Sequence, residues 1–568
     1  MKEREGMSKV DEIAHDYLDR ISALDPIEAT SRGTLGHDSE MTDYSPAGEA
    51  ARADLARSTL AQLGSISIGN DRDRLAAAVM RDRLEVEVDL YDSGNWMRSL
   101  RFLGPIEAAR MAFDLMGRSS EHDWEVIAER LEGVPGCLKG IRETLELGVS
   151  RQVVSARRQA IVSAVKARNY GGNESTPGFF RGLAADYAVG SQRQRSRLES
   201  AALNADRAYL EFADFVERSY LGEAVAREGC GPELYQLGCR AFNGIQIDPL
   251  QTYEWGWEEL QKIQGEMVST ANRILPGGTL AEVTELLDTD PRRAIEGEAN
   301  FRDWNQALLD QTIAQLNGVH FDIPAPVLTV EAMLAPSGGS PAMYYTPPAE
   351  DFSRPGRTWY PTLGRTHFPL WTEIATAYHE GVPGHHLQLA YVCWLGDRIN
   401  PFQGLLGVIS GHAEGWALYA ERLMGELGYL ENPDYYLGML ANQSFRAARV
   451  VVDIGLHLEL ELPQGQRFHP GETWSRELAV EFMVQNSGRS VEFCTGEVDR
   501  YLGVPAQAIA YKVGERVWLE VREEARRSWG PSFKLKDFHR QALDLGSVGL
   551  QQLREEMREP RSATVLTE

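Results

Sequence analysis

Apolar residues recur every three or four positions along most of the chain, the period of helices that bury one face. The pattern runs through ESAALNADRAYLEFADFVERSY and WGWEELQKIQGEMVSTANRIL. DRDRLAAAVMRDRLEVEVDLYDSG is long and charged throughout, as in a surface helix with ion pairs one turn apart. In DEIAHDYLDRISAL the apolar stripe consists of Ile13, Ala14, Tyr17, Leu18 and Ile21. The chain is therefore predicted to be mainly α-helical.

Strand patterns are confined to one region. Short β-branched or aromatic runs between Pro and Gly turns occur at 320–334, 340–350 and 357–363. The order of many helices, a small sheet and further helices predicts an α-rich enzyme whose sheet flanks one site. After the sheet, the predicted helices span 370–380, 385–395, 408–427, 435–461, 473–486, 494–501, 505–527 and 535–557.

The domain organisation has only one weak boundary, near residue 320. Residues 1–320 are predicted to form an N-terminal helical part, and residues 321–568 a part that carries the sheet and the candidate site. The chain has no low-complexity linker between them. We therefore expect the two parts to form one continuous structural unit.

The composition argues against two classes of partner. With 58 Lys and Arg against 83 Asp and Glu, the net charge of −25 repels phosphate backbones and anionic lipid surfaces. The chain also has no run of 18 apolar residues that would predict a membrane span. Nucleic-acid and membrane partners are therefore not expected.

The cysteines and the first residues favour a cytoplasmic protein. The number of cysteines, five, is odd, and no C-x-x-C occurs. Both observations argue against a disulfide framework and against a Cys-type zinc site. The opening MKEREGMSKVDEIAHDYLDR is charged throughout and lacks the apolar core of a secretory signal. We therefore expect a cytoplasmic location.

The stretch 378–388, YHEGVPGHHLQ, begins like the H-E-x-x-H helix of zinc proteases but has Pro383 in place of the second His. His385 and His386 follow His379 by six and seven positions. On a regular helix the first would point about 120° away, and the second would lie about 10.5 Å along the axis. Because zinc–nitrogen bonds are about 2.0–2.1 Å long, a regular helix would prevent either from sharing a metal with His379.

A regular helix is not expected here, however. Pro383 has no N–H, and its ring would clash with the carbonyl of His379. Gly381 and Gly384 tolerate unusual dihedrals, so G-V-P-G is predicted to be a bulge or break between two helical pieces. Such a break would bring His385 close to the place of a next-turn residue. Two alternatives remain, a metal site with a displaced second ligand or three histidines that merely lie close together.

The segment 410–428, SGHAEGWALYAERLMGELG, supplies a candidate third ligand in Glu414. It is predicted to be an amphipathic helix with Ser410 as N-cap and Gly428 just past its end. A carboxylate on a largely apolar face needs a partner, which a metal ion would provide. Alternatively, Glu414 faces solvent. The face it shares includes Ala417, Leu418 and Glu421.

Four motifs in this order give the chain a family resemblance. HEGVPGHHLQ, EGWALYAERLMGELGY, RAARVVVDIGLH and VDRYLGVPAQAIAYKVGERVWLEVREEAR resemble the bacterial domain-of-unknown-function 885 (DUF885) family. That family is grouped with gluzincin-like metallopeptidases and is similar to the helical carboxypeptidase and thimet oligopeptidase families. The resemblance implies a large, mainly helical zincin-like bowl with a deep channel and a small β-sheet beside the metal-site helix. Residues 1–320 would form one wall of that channel.

The resemblance also implies roles for individual residues. His379 and Glu380 match a zinc ligand followed by the general base, and Glu414 matches the downstream ligand. Gly-His follows in the related carboxypeptidases, so His385 is the implied second ligand, with His386 as the alternative. One Zn²⁺ per chain is implied. The sequence departs from H-E-x-x-H by two additional residues.

Further residues are candidates for substrate contacts. Tyr511 is a candidate donor to the oxyanion, with Arg500 and Tyr501 behind it, although such residues more often pack in the core or face solvent. Tyr344 and Tyr345 would line the cleft beside an edge strand, or else pack within a hairpin.

Two further residues are candidates for contacting and orienting the metal ligands. His412 would support a ligand or replace one. Asp453 lies in an apolar run, and would bond to a ligand His or pair with Arg446 or Arg449.

The expected function is that of a zinc-dependent metallopeptidase acting on short peptides, as a carboxypeptidase, dipeptidase or oligopeptidase. Glu380 would act as general base towards a metal-activated water. There are two alternatives. One is a metal-dependent hydrolase that uses the same residues on a non-peptide amide, and the other is a non-catalytic peptide-binding protein in which the break has abolished metal binding.

Overall fold

The computed structural model describes residues 7–173, 175–188, 190–336 and 342–560. The prediction of a mainly α-helical protein is confirmed, because helices dominate the described residues and the sheets are small. None of the described helices is both long enough and apolar enough to span a membrane. The five cysteines are all free thiols.

The helices α1 to α23 occupy both halves of the sequence. Their bounds are Lys9–Leu24, Pro26–Ser31, Pro46–Ser65, Asp71–Asp92, Pro105–Met111, Glu121–Ser150, Arg157–Gly171, Phe179–Ala185, Gln192–Arg218, Pro232–Asn243, Pro249–Ile274, Leu280–Thr289, Glu298–Leu316, Glu373–Glu380, His385–Leu395, Pro401–Leu406, Ser410–Glu426, Pro433–Leu458, Arg476–Ser487, Val491–Gly503, Ala510–Trp529, Leu535–Asp544 and Leu550–Glu556. The predicted helices after residue 370 each coincide with one or two of these.

The chain divides into two compact units. The first comprises Met1–Leu237, Leu456–Glu459 and Thr495–Pro505. It packs the apolar stripes of long helices such as α6 and α9 into one core, because each helix buries residues at the helical period. Its largest fully buried side chains include Trp124, Arg130, Tyr209 and Tyr220.

The second compact unit comprises Gly238–Gly455, Leu460–Cys494 and Ala506–Glu568. It contains both sheets and the candidate site. The predicted boundary at 320 falls inside this unit, where Gln306 of α13 donates to the carbonyl of Val330 at 3.0 Å and accepts from the N–H of Ala332 at 2.8 Å. These bonds join α13 to the strand that follows the boundary.

Five short strands form two sheets in the described part of the chain. β1 (Ala294–Glu296) pairs antiparallel with β5 (His367–Pro369). In the three-stranded sheet, β4 (Gly356–Tyr360) lies between β2 (Val330–Leu334) and β3 (Tyr344–Thr346), parallel to the former and antiparallel to the latter. The three predicted strand regions therefore each contribute one strand, whereas β1 and β5 were not predicted.

Candidate metal centre

The predicted break in the His-Glu helix is confirmed. Helix α14 ends at Glu380, and α15 begins at His385 after a cis peptide bond before Pro383. Only glycine fits at residue 384, because a Cβ there would lie 2.0 Å from the carbonyl oxygen of His379. The indole N–H of Trp416 donates to the carbonyl of Pro383 at 2.8 Å, which ties the turn to α17.

The break brings His379, His385 and Glu414 together. One ligand atom of each lies within 4.8 Å of the others. The Oε2 of Glu414 is 3.3 Å from the Nε2 of both histidines. The side chain of Glu414 is 22% exposed, against 3% and 11% for His379 and His385, although its Oε2 is itself buried.

The two distances from Glu414 match those between ligand atoms of one metal ion. Two ligand atoms bonded to one tetrahedral zinc lie about 3.3–3.4 Å apart when each bond is about 2.0–2.1 Å long. The buried Oε2 of Glu414 has no partner of hydrogen-bonding geometry among the described residues, although both Nε2 atoms are close. The three side chains thus converge on one point with two nitrogens and one oxygen.

His386 takes no part in this cluster, which corrects its assignment as an alternative ligand. Its Nε2 lies 2.8 Å from the carbonyl oxygen of Val327, and its Nδ1 lies 3.0 Å from the hydroxyl of Tyr345. Burial lowers the pKa of His386 to about 4, so the ring is neutral. Since α15 begins at His385, consecutive residues point in different directions and only His385 faces His379.

Glu421 is a functional candidate that the sequence analysis did not assign. Its side chain is fully buried, and its Oε1 lies 2.8 Å from the Nδ1 of His379. A carboxylate on the far nitrogen of a ligand histidine fixes the ring and makes it more basic. Glu421 lies two turns after Glu414 on the same face of α17. This spacing could have identified Glu421 from the sequence.

The carboxylates make the site favourable for a cation. Burial lowers the pKa of His379, but the neighbouring carboxylates of Glu414, Glu421 and Glu380 outweigh burial and raise it to about 10. The pKa of Glu414 is held well below its usual range, because the charges of His385 and His379 outweigh burial.

The two residues predicted to support the ligands have other partners. The Nδ1 of His412 lies 3.3 Å from the amide nitrogen of Gln388, and burial lowers the pKa of His412 to about 4. The Oδ2 of Asp453 accepts from the backbone N–H of Ala506 at 3.0 Å. Because Glu421 already occupies the Nδ1 of His379, Asp453 does not support that ligand.

Tyr511 lies beside the cluster. Its ring stacks on that of His379, with centroids 6.3 Å apart and planes 17° from parallel. Arg500 and Tyr501 instead belong to the first compact unit, where both side chains bond to Glu497 at 2.9 Å.

The two tyrosines of β3 differ in their surroundings. The Tyr345 hydroxyl contacts His386, whereas Tyr344 stacks on Trp359 of the neighbouring strand, with centroids 5.8 Å apart. In the strand order β2–β4–β3, both residues lie on an edge strand. Tyr345 is therefore tied to the helix that carries His385.

Glu373, the first residue of α14, is buried with only 6% of its surface exposed. Burial raises its pKa to about 7, although Arg365 and Arg489 oppose the shift. This pKa exceeds the 4.5 of an ordinary glutamate, so between pH 4.5 and pH 7 Glu373 ionises in the unfolded chain before it ionises in the folded protein. The free energy of unfolding of the wild type therefore falls as the pH rises through this range. We expect Glu373→Gln to stabilise the protein at pH 8 by up to about 3 kcal/mol.

The measurement is the Tm of Glu373→Gln and wild type from pH 4 to pH 8. The difference should grow with pH and vanish near pH 4. Glu298→Gln is the matched control, because Glu298 also begins a helix but is exposed. A constant difference across the pH range would contradict the prediction.

Comparison with protein families identifies the chain. The family described as bacterial protein of unknown function (DUF885) matches residues 26–557. The chain belongs to the DUF885 family. The match covers both compact units of this DUF885 protein, including the residues of the candidate centre. A comparison with curated proteins finds no match.

Two solved structures resemble the DUF885 chain over nearly its whole length. A candidate lipoprotein from Colwellia psychrerythraea superposes with a TM-score of 0.81 at 24% identity, covering 97% of this chain and 99% of that one. A candidate lipoprotein of unknown function from Shewanella oneidensis gives a TM-score of 0.74 at 17% identity, covering 97% and 100%. At these identities the likeness establishes the fold.

The same comparison corrects one expectation about the DUF885 protein. A cytoplasmic location was predicted from the cysteines and the charged first residues. Both similar structures are instead of candidate lipoproteins, a class of membrane-anchored proteins, so the cytoplasmic assignment is wrong. Neither the net surface charge nor the number of free thiols determines the compartment of a protein, so these features could not support the assignment.

Proposed function

We propose that this DUF885 protein is a zinc-dependent metallopeptidase of the gluzincin type that acts on short peptides. The observation that carries the proposal is the convergence of His379, His385 and Glu414, with one ligand atom of each within 4.8 Å of the others. Glu380 adjoins the first ligand, where a general base is required. Catalytic zinc sites characteristically have three protein ligands and one open position.

The ligand set supports zinc among the common metals. Two imidazoles and one carboxylate match the His₂Glu set of zinc peptidases, whereas calcium and magnesium prefer oxygen ligands throughout. When bound, zinc acts as a Lewis acid that polarises the scissile carbonyl and makes water more acidic.

The residues of the chain supply the remaining chemistry. Glu380 is 8% exposed, and it would take the proton of the attacking water and pass it to the leaving amine. Tyr511, stacked beside His379, would donate a hydrogen bond to the oxyanion. Arg500 is given no step in this proposal, because its Nε donates a hydrogen bond to Glu497 at 2.9 Å.

Two measurements on the wild-type protein test the proposal. Elemental analysis after purification without added metal should give about one zinc per chain. A library of short peptides should then be cleaved in a reaction that chelation stops and added zinc restores. Protein that takes up no zinc even when zinc is offered and the excess dialysed away would refute the proposal.

Replacing Glu421 should weaken metal binding without removing a ligand. Glu421→Gln leaves His379 in place but removes the carboxylate 2.8 Å from its Nδ1. Supporting residues of this kind typically contribute about 10–100-fold to metal affinity, and we expect a loss in that range. The measurement is zinc affinity by competition with a chromogenic chelator. Glu426→Gln, a change at a more exposed carboxylate on the same helix, should leave the affinity unchanged.

A further inference from the structure

Three arginines of the second compact unit surround one phenyl ring. The guanidinium carbons of Arg446, Arg449 and Arg489 lie 5.5, 4.2 and 5.9 Å from the ring centroid of Phe445. Arg446 and Arg449 belong to α18, and Arg489 follows α19. We refer to Arg446, Arg449 and Arg489 as the arginine cluster.

The arginine cluster lies next to the candidate metal centre. The guanidinium groups of Arg446 and Arg449 lie 5.4 and 4.9 Å from the ring centroid of Tyr511. The same tyrosine ring stacks on the ligand His379 at 6.3 Å. Tyr511 therefore contacts both the candidate metal centre and two positive charges.

The arginine cluster carries positive charge that an anionic ligand would neutralise. The guanidinium carbons of Arg446 and Arg489 lie 5.5 and 5.9 Å from the same Phe445 ring centroid, so their positive charges repel each other. The buried Nε of Arg446 has no acceptor among the described residues. Arg489 is exposed and Arg446 half-buried, so a ligand from solvent can reach both.

We propose that Arg446 and Arg489 form a subsite that binds a carboxylate of the substrate beside the metal centre. Guanidinium groups bind carboxylates through paired, charge-assisted hydrogen bonds, and aromatic faces such as Phe445 hold the guanidinium planes in place. The inference deepens the proposed function, on which it rests. It names the substrate class as peptides that carry a free carboxylate near the bond that is cut.

The separations fit a short substrate. One extended residue spans about 3.3–3.6 Å. The guanidinium carbon of Arg446 lies 5.4 Å from the ring centroid of Tyr511, and that centroid lies 6.3 Å from the ring centroid of His379. Each distance corresponds to between one and two extended residues. A carboxylate a few residues or fewer beyond the scissile bond would reach the subsite, as in a peptidase that removes short pieces from a C-terminus.

The test measures binding apart from turnover. In Glu380→Gln protein, calorimetry compares the Kd of an N-acetylated tripeptide with that of its C-terminal amide. We expect the free acid to bind at least about tenfold more tightly than the amide. Arg446→Gln should reduce this preference to less than about twofold, and Arg489→Gln should reduce it in the same direction. Since Arg489 is exposed, the second variant does not depend on the core.

Arg526→Gln is the matched control, because Arg526 also lies over an aromatic ring, that of Phe533 at 5.2 Å, but on the distal part of α21. It should retain the full preference. Equal binding of acid and amide, or an undiminished preference in both cluster variants, would overturn the inference. Amides bearing a Glu or a Gln side chain separate a side-chain carboxylate from a terminal one.

The inference and the proposed function can fail separately. Hydrolysis of acids and amides at equal rates, with equal Kd, would overturn the carboxylate subsite and leave the peptidase intact. A preference for free acids that Arg446→Gln abolishes, in a protein that cleaves no peptide, would support the subsite and refute the peptidase.

Discussion

Glu380→Gln is expected to lower kcat for peptide hydrolysis by about 10²–10⁴-fold while zinc content stays unchanged. Glutamine has the shape of glutamate but cannot accept the proton of the attacking water. Glu380 is not one of the three residues whose ligand atoms converge, so its replacement removes chemistry and keeps the metal. The measurements are steady-state kinetics on a library-selected peptide and elemental analysis of the same preparation.

The outcome distinguishes a base from a structural residue. Glu523→Gln, at an exposed position of α21, should retain both activity and zinc. A Glu380→Gln protein with near wild-type kcat would show that another group takes the proton. A variant that lost zinc together with activity would instead assign Glu380 to the support of the ligands.

The sequence was sufficient to locate the break at G-V-P-G because its cause is local. The proline ring and the two glycines act within one turn of His379. Which histidine turns inwards was a matter of tertiary structure. His386 is drawn away by the carbonyl of Val327 and the hydroxyl of Tyr345, two groups far away in sequence.

The start of α17 shows the limit of local capping rules. Ser410 was predicted as N-cap, but the helix begins at Ser410 and Ile409 occupies the cap position without a side-chain bond. The end of the same helix was predicted correctly. Gly428 has a φ of 89°, and the N–H of Tyr429 bonds to the carbonyl of Met424, as in a glycine-terminated helix.

Other features depended on pairs that are distant in sequence. β1 and β5 are three residues each, and Ala294 pairs with Pro369, so neither strand has a periodicity that a short window can detect. The arginine cluster likewise joins α18 to the turn after α19. Arg446 and Arg449 were considered only as partners of Asp453, and their guanidinium groups also lie over Phe445 and Tyr511.

Glu414→Ala is expected to remove the metal altogether. Glu414 is the one oxygen ligand of the cluster and lies 3.3 Å from both histidine Nε2 atoms, so alanine leaves only two ligands. Since two ligands do not hold zinc against dialysis, we expect zinc to fall from about one per chain to less than about a tenth. Elemental analysis after dialysis provides the measurement.

The fold should survive the same substitution, which makes the result interpretable. The Glu414 side chain is 22% exposed, and His379 keeps its bond to Glu421, so the substitution leaves the more buried ligand histidine paired. Circular dichroism should therefore match wild type. Glu426→Ala on the same helix should retain zinc, because Glu426 pairs with Arg522 rather than with the cluster. Full zinc occupancy in Glu414→Ala would place the metal elsewhere and leave the three side chains as a hydrogen-bonded cluster, because a site reduced to two histidines cannot retain zinc through dialysis.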